Sequence, residues 1–194
     1  MRIFTIITLL IFPFFCQAQQ RSYDIGVSYG IYNSPSFKNS NARKYFSADF
    51  DYHLSTHLTV SSGFKLGRFA YYDDIRSNEP ASVWRADNTN ALGEELHAYA
   101  MAKYRFIEWK GFSVQAGAGI GLLNQQLDYP YSHNPGISST TEKASFTDIE
   151  FPVSLEAYYL FRKRFGIGFK AGGFIEPDFP IVGIYIGPQL RIRL

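Results

Sequence analysis

Residues 182–194 read VGIYIGPQLRIRL, a stretch in which two kinds of side chain alternate strictly. The even-numbered positions are apolar, from Val182 to Leu194, with Pro188 among them. The odd-numbered positions carry glycine, tyrosine, glutamine and arginine. Because successive side chains of a β-strand point to opposite faces, this pattern predicts a strand with one apolar and one polar face.

The same alternation occurs in eight separate runs of the chain. The predicted strands are Tyr23–Ile31, Tyr45–Tyr52, Leu58–Gly67, Leu96–Phe106, Phe112–Leu122, Asp148–Phe161, Phe165–Gly172 and Val182–Leu194. A tilted strand needs about 9–11 residues to cross a bilayer, which most of these runs supply. The connections at residues 53–57, 107–111 and 162–164 are short, whereas those at residues 33–44, 73–94 and 130–145 are longer. Short turns on one side and long loops on the other are typical of an up-and-down membrane barrel.

The polar face carries glycines together with charged residues, and this decides which face points inward. The interior of an eight-stranded barrel is just wide enough for side chains, so long side chains must be matched by small ones. The charges on this face are also nearly balanced in sign, as a packed polar interior requires. We therefore predict an all-β, eight-stranded antiparallel transmembrane barrel with a filled polar lumen. Its ion network is expected to contain Asp24, Asp49, Asp51, Lys103, Arg105, Glu156, Lys170, Arg191 and Arg193.

The composition agrees with an apolar outer surface. Aromatic residues make up 18% of the chain, although the mean hydropathy is only −0.14, because the average combines two opposite faces. An aromatic girdle is predicted at the short-turn rim, formed by Tyr23, Tyr52, Tyr104, Phe106, Phe161 and Phe165. The net charge of +2 argues against polyanion binding by bulk charge, and the single Cys excludes a disulfide framework.

The first residues have the pattern of a secretory signal. Arg2 precedes the apolar run Ile3–Phe15, and small side chains at Cys16 and Ala18 suit a cleavage site after Ala18. The apolar run is too short for a spanning helix, which needs about 20 residues. We predict a cleaved signal peptide at residues 1–18 and one barrel domain at residues 19–194.

The signal, the alternating strands and the unequal loops make residues 22–194 resemble the small outer-membrane β-barrel proteins of the OmpA/OmpX-like class. The last strand of that class normally ends in an aromatic residue, whereas this one ends in Leu194. The resemblance implies a location in the cell outer membrane, insertion by the barrel assembly machinery, and contact with outer-membrane lipids and lipopolysaccharide. It carries no activity motif and no expectation of nucleic-acid binding. The expected function is a structural or surface-interaction role through the long loops, with Trp84, Arg85 and Tyr131 as candidate contacts to an unknown surface partner.

Three alternatives remain open. A lipid-modifying enzyme of the lipid A deacylase type needs a histidine and a serine near the last strands, and the last two predicted strands contain neither. A lipocalin-like binder needs an apolar lumen, whereas here the charges and glycines share one face. A narrow pore through the charged lumen is the third alternative. The histidines have no metal-ligand spacing, so we predict no metal, no cofactor and no catalytic residue.

Overall fold

The computed structural model describes residues 22–36, 40–71, 91–131, 140–162, 164–177 and 181–194. Its strands are β1 (Tyr23–Asn33), β2 (Asn41–His53), β3 (Leu58–Tyr71), β4 (Ala91–Trp109), β5 (Phe112–Tyr131), β6 (Thr140–Phe161), β7 (Phe165–Ile175) and β8 (Gly183–Arg193). Each strand pairs antiparallel with the next one along the chain, and β8 pairs with β1, which closes an eight-stranded barrel. The predicted all-β, up-and-down architecture is confirmed.

The alternation along each strand separates a lumen face from an outer face. Ser28 is 4% exposed, whereas its neighbour Tyr29 is 51% exposed. Large apolar side chains stand exposed in this way on all eight strands, so the apolar belt encircles the barrel. Soluble monomers seldom expose contiguous apolar patches larger than a few hundred Å². A belt that surrounds the whole barrel is the surface that contacts the hydrocarbon of a membrane.

The short connections lie together at one end of the barrel, here called the turn end, and the longer ones at the opposite loop end. The turn between β4 and β5 contains only Lys110 and Gly111, which have φ angles of 46° and 91°. Positive φ at both positions is the geometry of the two-residue hairpin turn that matches strand twist. The predicted connection at residues 107–111 was therefore too long. A β-bulge between Arg105 and Ile107 shifts the register there. The alternation in the sequence stops at this bulge, although the strand itself continues to Trp109.

Strands at the loop end also extend further than the alternation predicts. β4 begins at Ala91 and β6 at Thr140, so the predicted loops at residues 73–94 and 130–145 are partly strand. Residues 145–149 of β6 are all exposed. Beyond the lipid both faces of a strand contact water, so its side chains no longer alternate and the period gives no signal.

The register between β6 and β7 agrees with a turn centred on residue 163. Phe161 pairs with Phe165, and Glu156 pairs with Lys170, as predicted. The pairing places these two charged side chains on the same lumen face. No helix in the described part of the chain is long and apolar enough to cross a membrane.

All six residues of the predicted girdle lie at the turn end. Tyr104, Phe106, Phe161 and Phe165 are each more than half exposed on the outer face. Tyr23 and Tyr52 are half-buried because their rings pack on each other, with centroids 5.2 Å apart. This is the position that interfacial aromatic side chains occupy in membrane barrels.

Candidate functional site

Arg191 on β8 is the centre of a group of ion pairs near the turn end of the lumen. Its guanidinium donates to Asp51 at 2.5 Å, to Glu156 at 2.5 Å and to Asp24 at 3.3 Å. The ring of Tyr158 lies over the guanidinium, 4.3 Å from its central carbon. One buried arginine therefore connects β1, β2, β6 and β8.

Two lysines complete the same group. Lys103 Nζ lies 2.9 Å from Asp51 and 2.8 Å from Glu156. Lys170 Nζ lies 2.6 Å from Asp49 and 3.7 Å from Glu156. Because Asp51 and Glu156 are each shared by at least two cations, removal of one partner leaves a buried charge incompletely paired.

Arg193 and His53 extend the group toward the turn end. Arg193 donates to Asp24 at 2.8 Å, and His53 Nε2 lies 3.0 Å from the same carboxylate. The structure thus brings eight of the nine predicted residues into one cluster, which we call the lower network: Asp24, Asp49, Asp51, Lys103, Glu156, Lys170, Arg191 and Arg193.

The ninth predicted residue, Arg105, does not pair with a carboxylate of the lower network. Its ion partner is Glu108 at 3.3 Å, which is half-exposed. It also donates to the carbonyl of Thr56 at 3.2 Å and to the hydroxyl of Tyr158 at 3.2 Å. Arg105 immediately precedes the β-bulge in β4, so its side chain reaches the rim of the barrel and the β2–β3 turn.

A second polar cluster lies at the loop end of the lumen. His97 Nδ1 donates to Glu150 at 2.7 Å, and its Nε2 lies 3.0 Å from the hydroxyl of Tyr32. Tyr32 donates its own hydrogen to Glu95. The hydroxyl of Tyr32 therefore lies between Glu95 and His97. We call these four buried residues the mouth cluster, in which His97 stands between two carboxylates.

Lys65 lies between the two clusters and differs from the other lumen cations. Its side chain is fully buried, and Nζ has no hydrogen-bond partner among the described residues. Three aromatic rings surround it: Nζ lies 2.8 Å from the ring centre of Tyr185, 4.8 Å from that of Tyr45 and 5.4 Å from that of Phe174. Ring faces, and not carboxylates, therefore surround this amino group.

Glu176 follows β7 at the loop end, beyond the membrane-spanning strands. Burial raises the pKa of its carboxyl to about 7, and the nearby carboxylates of Asp148, Glu150 and Glu95 act in the same direction. The open end of the lumen therefore has an excess of negative charge.

The strand β6 has a free edge above the barrel wall. Its pairing with β7 begins only at Phe151, opposite Ile175. Residues 140–150 pair with β5 on one side and with no strand on the other side in the described part of the chain. We call this segment the β6 edge.

Sequence reasoning missed Tyr32, Glu95 and the pairing of His53 with Asp24. The first strand was predicted to end at Ile31 and the fourth to begin at Leu96, so Tyr32 and Glu95 fell just outside them. Extending the alternation by one residue would have placed both on the lumen face. His53 was assigned to a turn but ends β2.

The predicted loop contacts cannot be located. Trp84 and Arg85 lie outside the described residues, as does the predicted signal peptide, and only the backbone of Tyr131 is placed. Among the described residues, no group of three or more histidine, cysteine or acidic side chains is arranged to hold a metal ion.

No protein-family model matches the chain, and no curated protein matches it significantly. It is similar to two crystal structures of Ail, the attachment invasion locus protein of Yersinia pestis. One of them, in complex with the heparin analogue sucrose octasulfate, is 14% identical with a TM-score of 0.52, over 90% of this chain and 100% of that chain. The other is 12% identical with a TM-score of 0.53, over 91% of this chain and 100% of that chain. At these identities the likeness shows the fold alone, which is that of a small outer-membrane β-barrel.

Proposed function

We propose that this protein is an integral outer-membrane barrel that binds an extended segment of a surface partner along the β6 edge. The observation that carries the proposal is the strand pairing, in which residues 140–150 of β6 have a neighbour on one side only in the described part of the chain. The partner would add a strand to the sheet through main-chain hydrogen bonds, a mode known as β-augmentation.

The membrane location is supported by the apolar belt and the aromatic girdle. The belt requires lipid around the barrel, and the turn end and loop end then lie on opposite sides of the membrane. In barrels of this architecture the short turns face the periplasm and the long loops face outward. The β6 edge would therefore be presented at the cell surface.

The β6 edge is long, and within it Ser145–Thr147 form an uncharged stretch between Lys143 and Asp148. Proteins usually protect an edge with charge, proline or a covering segment, because its unpaired N–H and C=O groups recruit other strands. Here Ser145, Phe146 and Thr147 are exposed, and Phe146 offers an apolar contact at 51% exposure. The free main-chain groups supply affinity, while side chains such as Phe146 supply selectivity for the incoming strand.

The charge at the loop end favours a peptide over a polysulfated ligand of the kind bound to Ail. A polyanion needs an excess of arginine and lysine. The exposed or half-exposed cations described there, Arg43, Lys44, Arg68 and Lys143, are matched by as many carboxylates. Those carboxylates are Glu94, Asp128, Asp148 and Glu176.

We also propose that the barrel neither conducts ions nor catalyses a reaction. The ion pairs of the lower network cross the lumen between strands, which supports a closed interior. β7 and β8 contain no histidine or serine that could form a nucleophilic pair at their lipid-facing surface. A steady open conductance in planar bilayers, or a mass change in lipid A on overexpression, would contradict this part of the proposal.

The β6 edge can be tested with peptides selected from a random library against the refolded barrel in lipid nanodiscs. Ser145→Lys places a charge on the edge strand and should weaken the selected peptides by about tenfold or more. The matched control is Gln126→Lys, because Gln126 pairs with Ser145 but lies on β5, one strand away from the edge. Its effect should be small.

Hydrogen exchange supplies the second measurement. A bound peptide should protect the alternate amides of residues 143–149 that point away from β5, and N-methylation of the peptide amides that face β6 should abolish binding. Equal loss in both lysine variants, or protection confined to other segments, would refute docking at the β6 edge.

A further inference from the structure

Four carboxylates lie together at the open end of the lumen, where β7 ends beside β6. Glu95 and Glu150 are buried there, on β4 and β6. Asp148 is exposed on β6, and Glu176, the residue after β7, is half-buried. Asp148 pairs with the buried Leu123, so its side chain shares the lumen face. The other three carboxylates all raise the pKa of Glu176, because they lie close to it.

The strand register places two of these carboxylates opposite each other. β6 and β7 remain paired as far as Phe151 and Ile175. One further step in this register places Glu150 opposite Glu176. Like charges that face each other across a sheet are destabilising, so a cation bound beside them would be stabilised.

Two oxygens of this group have no hydrogen-bond partner among the described residues. They are Oε1 of Glu150, whose side chain is fully buried, and Oε1 of Glu176. The other oxygen of Glu150 is bonded to His97. Because buried acceptors are nearly always hydrogen-bonded, two free ones at the same place indicate a site for the donors of another molecule.

The exposed cations of the loop end do not neutralise this group. Those on β2 and β3 are at least three strands away from β6. Lys143 lies on β6 itself, but its partner is Asp128 on β5, at 4.0 Å. No cation of the described residues lies within ion-pair distance of Asp148 or Glu176. The equal numbers of exposed charges at the loop end therefore conceal a local excess of negative charge beside the β6 edge.

The arrangement of the carboxylates favours a branched donor over a metal ion. Among the described residues, no three acidic or histidine side chains are placed to share one metal ion. A guanidinium is planar, is always charged and carries five N–H donors. It can therefore bond oxygens that lie too far apart to meet at a single ion.

A strand bound at the β6 edge would bring a side chain to this place. It would lie beside β6 beyond the end of β7, and its residue opposite Asp148 would point to the lumen face, because paired residues share a face. Alternate residues on one face of a strand are about 7 Å apart. Glu176, which lies two positions further along, is therefore within reach of a long side chain.

We propose that the segment bound at the β6 edge inserts an arginine side chain into the open end of the lumen, between Asp148 and Glu176. Its guanidinium donates to these two carboxylates, while the buried Glu150 and Glu95 strengthen the attraction from below. The inference rests on the docking proposed above and specifies the partner. That partner is an extended peptide with an arginine opposite Asp148.

The test compares peptides selected on the refolded barrel in nanodiscs with analogues that carry citrulline, the uncharged counterpart of arginine. Selection from a random library should enrich arginine at one position. Citrulline at that position should weaken binding by about tenfold or more, the loss expected for charge-assisted hydrogen bonds. Asp148→Asn and Glu176→Gln should each weaken the arginine peptide and leave the citrulline analogue nearly unchanged.

Glu94→Gln is the matched control. Glu94 is an exposed carboxylate at the same end of the barrel, but it lies on β4 and pairs with Arg68 on β3. This variant should bind both peptides like the unaltered protein. Since none of the three altered side chains is fully buried, all three variants should fold, which the heat-modified mobility on a gel checks.

Three results would overturn the arginine contact. They are selected peptides in which arginine is not enriched, a citrulline analogue that binds as tightly as the arginine peptide, or a loss in Glu94→Gln as large as that in Asp148→Asn. In each case Ser145→Lys would still weaken peptides that dock at the β6 edge. Peptides insensitive to Ser145→Lys would instead refute the docking itself, so the two failures are distinguishable.

Discussion

Near the turn end of the lumen, the four carboxylates of the lower network face four cations, and each charge has an opposite partner within hydrogen-bond or ion-pair distance. Toward the loop end, Lys65 is surrounded by rings instead, and a single histidine stands between two carboxylates. The difference shows two ways of holding a polar side chain inside a narrow barrel. One is pairing with groups of opposite charge, as in the lower network and around His97, and the other, at Lys65, is enclosure by neutral rings.

The largest expected effect is the loss of Arg191. Arg191→Ala leaves Asp24, Asp51 and Glu156 with fewer partners in a buried site, and we expect a loss of about 3–5 kcal/mol in the free energy of unfolding. Urea titration in lipid vesicles, followed by the heat-modified mobility of the folded form, measures it. Arg193→Ala should cost less, because Arg193 is partly exposed and pairs with Asp24 alone. If the variant were as stable as the unaltered protein, Arg191 would not stabilise the carboxylates of the lower network.

Lys170→Met tests the same dependence with a residue of similar size. The ammonium is removed while the stem is preserved, so Asp49 loses the lysine that lies 2.6 Å away. We expect a loss of about 3 kcal/mol, at the lower end of the range for breaking a buried ion pair. Adding Asp49→Asn to this variant should recover part of the loss in the same urea titration. No recovery would mean that packing, and not the uncompensated charge, determines the effect.

His97→Phe tests the mouth cluster. The new ring can still stack on Phe174, whose centre lies 3.7 Å from that of the imidazole. It cannot form hydrogen bonds with Glu150 or Tyr32, so we expect a loss of about 1–3 kcal/mol, the cost of leaving buried polar groups without a partner. Combining it with Glu150→Gln should reduce the cost. If the two changes were simply additive, His97 and Glu150 would not be coupled.

Lys65→Met is expected to change the free energy of unfolding by less than about 1 kcal/mol. No carboxylate is stranded, because rings surround Nζ, and contact with the ring faces offsets only part of the cost of burying the amino group. The direct comparison with Lys170→Met therefore separates the two ways of holding a buried lysine. Equal losses in the two variants would remove the distinction on which this comparison rests.

The smallest expected effect is the pH dependence contributed by Glu176. Its pKa of about 7 in the folded protein is above the ordinary value of 4.5, so the folded state retains a proton that the unfolded chain releases. Its contribution to stability should therefore fall as pH rises from about 4.5 to 7 and stay low above that. The melting temperature of Glu176→Gln should exceed that of the unaltered protein more at pH 8 than at pH 5. If the difference in melting temperature between the two proteins were the same at pH 5 and pH 8, the pKa of Glu176 would not be raised in the folded protein.

Much of the lower network was predictable because it lies where the alternation is strongest. Asp24, Asp51 and Arg191 share the lumen parity of long, regular runs, and an antiparallel register follows from a tight turn such as that at residues 162–164. Arg105 was the exception, since the bulge beside it leaves no periodic signal. The mouth cluster was missed because Tyr32 and Glu95 lie one residue beyond the ends of the predicted runs, although their outward neighbours Ile31 and Leu96 continue the apolar face.

The sequence by itself determined that apolar and polar side chains alternate along each strand. It also determined that the apolar face is the outer one and that the barrel contains eight strands. These properties follow from local periodicity and from the match between large and small lumen residues, which require no knowledge of distant contacts. Only the tertiary structure decided which carboxylate each lysine meets, how Lys65 is enclosed by rings from β2, β7 and β8, and where β6 is left without a neighbour. Those outcomes depend on the stagger of strands around a closed ring, which brings together residues far apart in the chain.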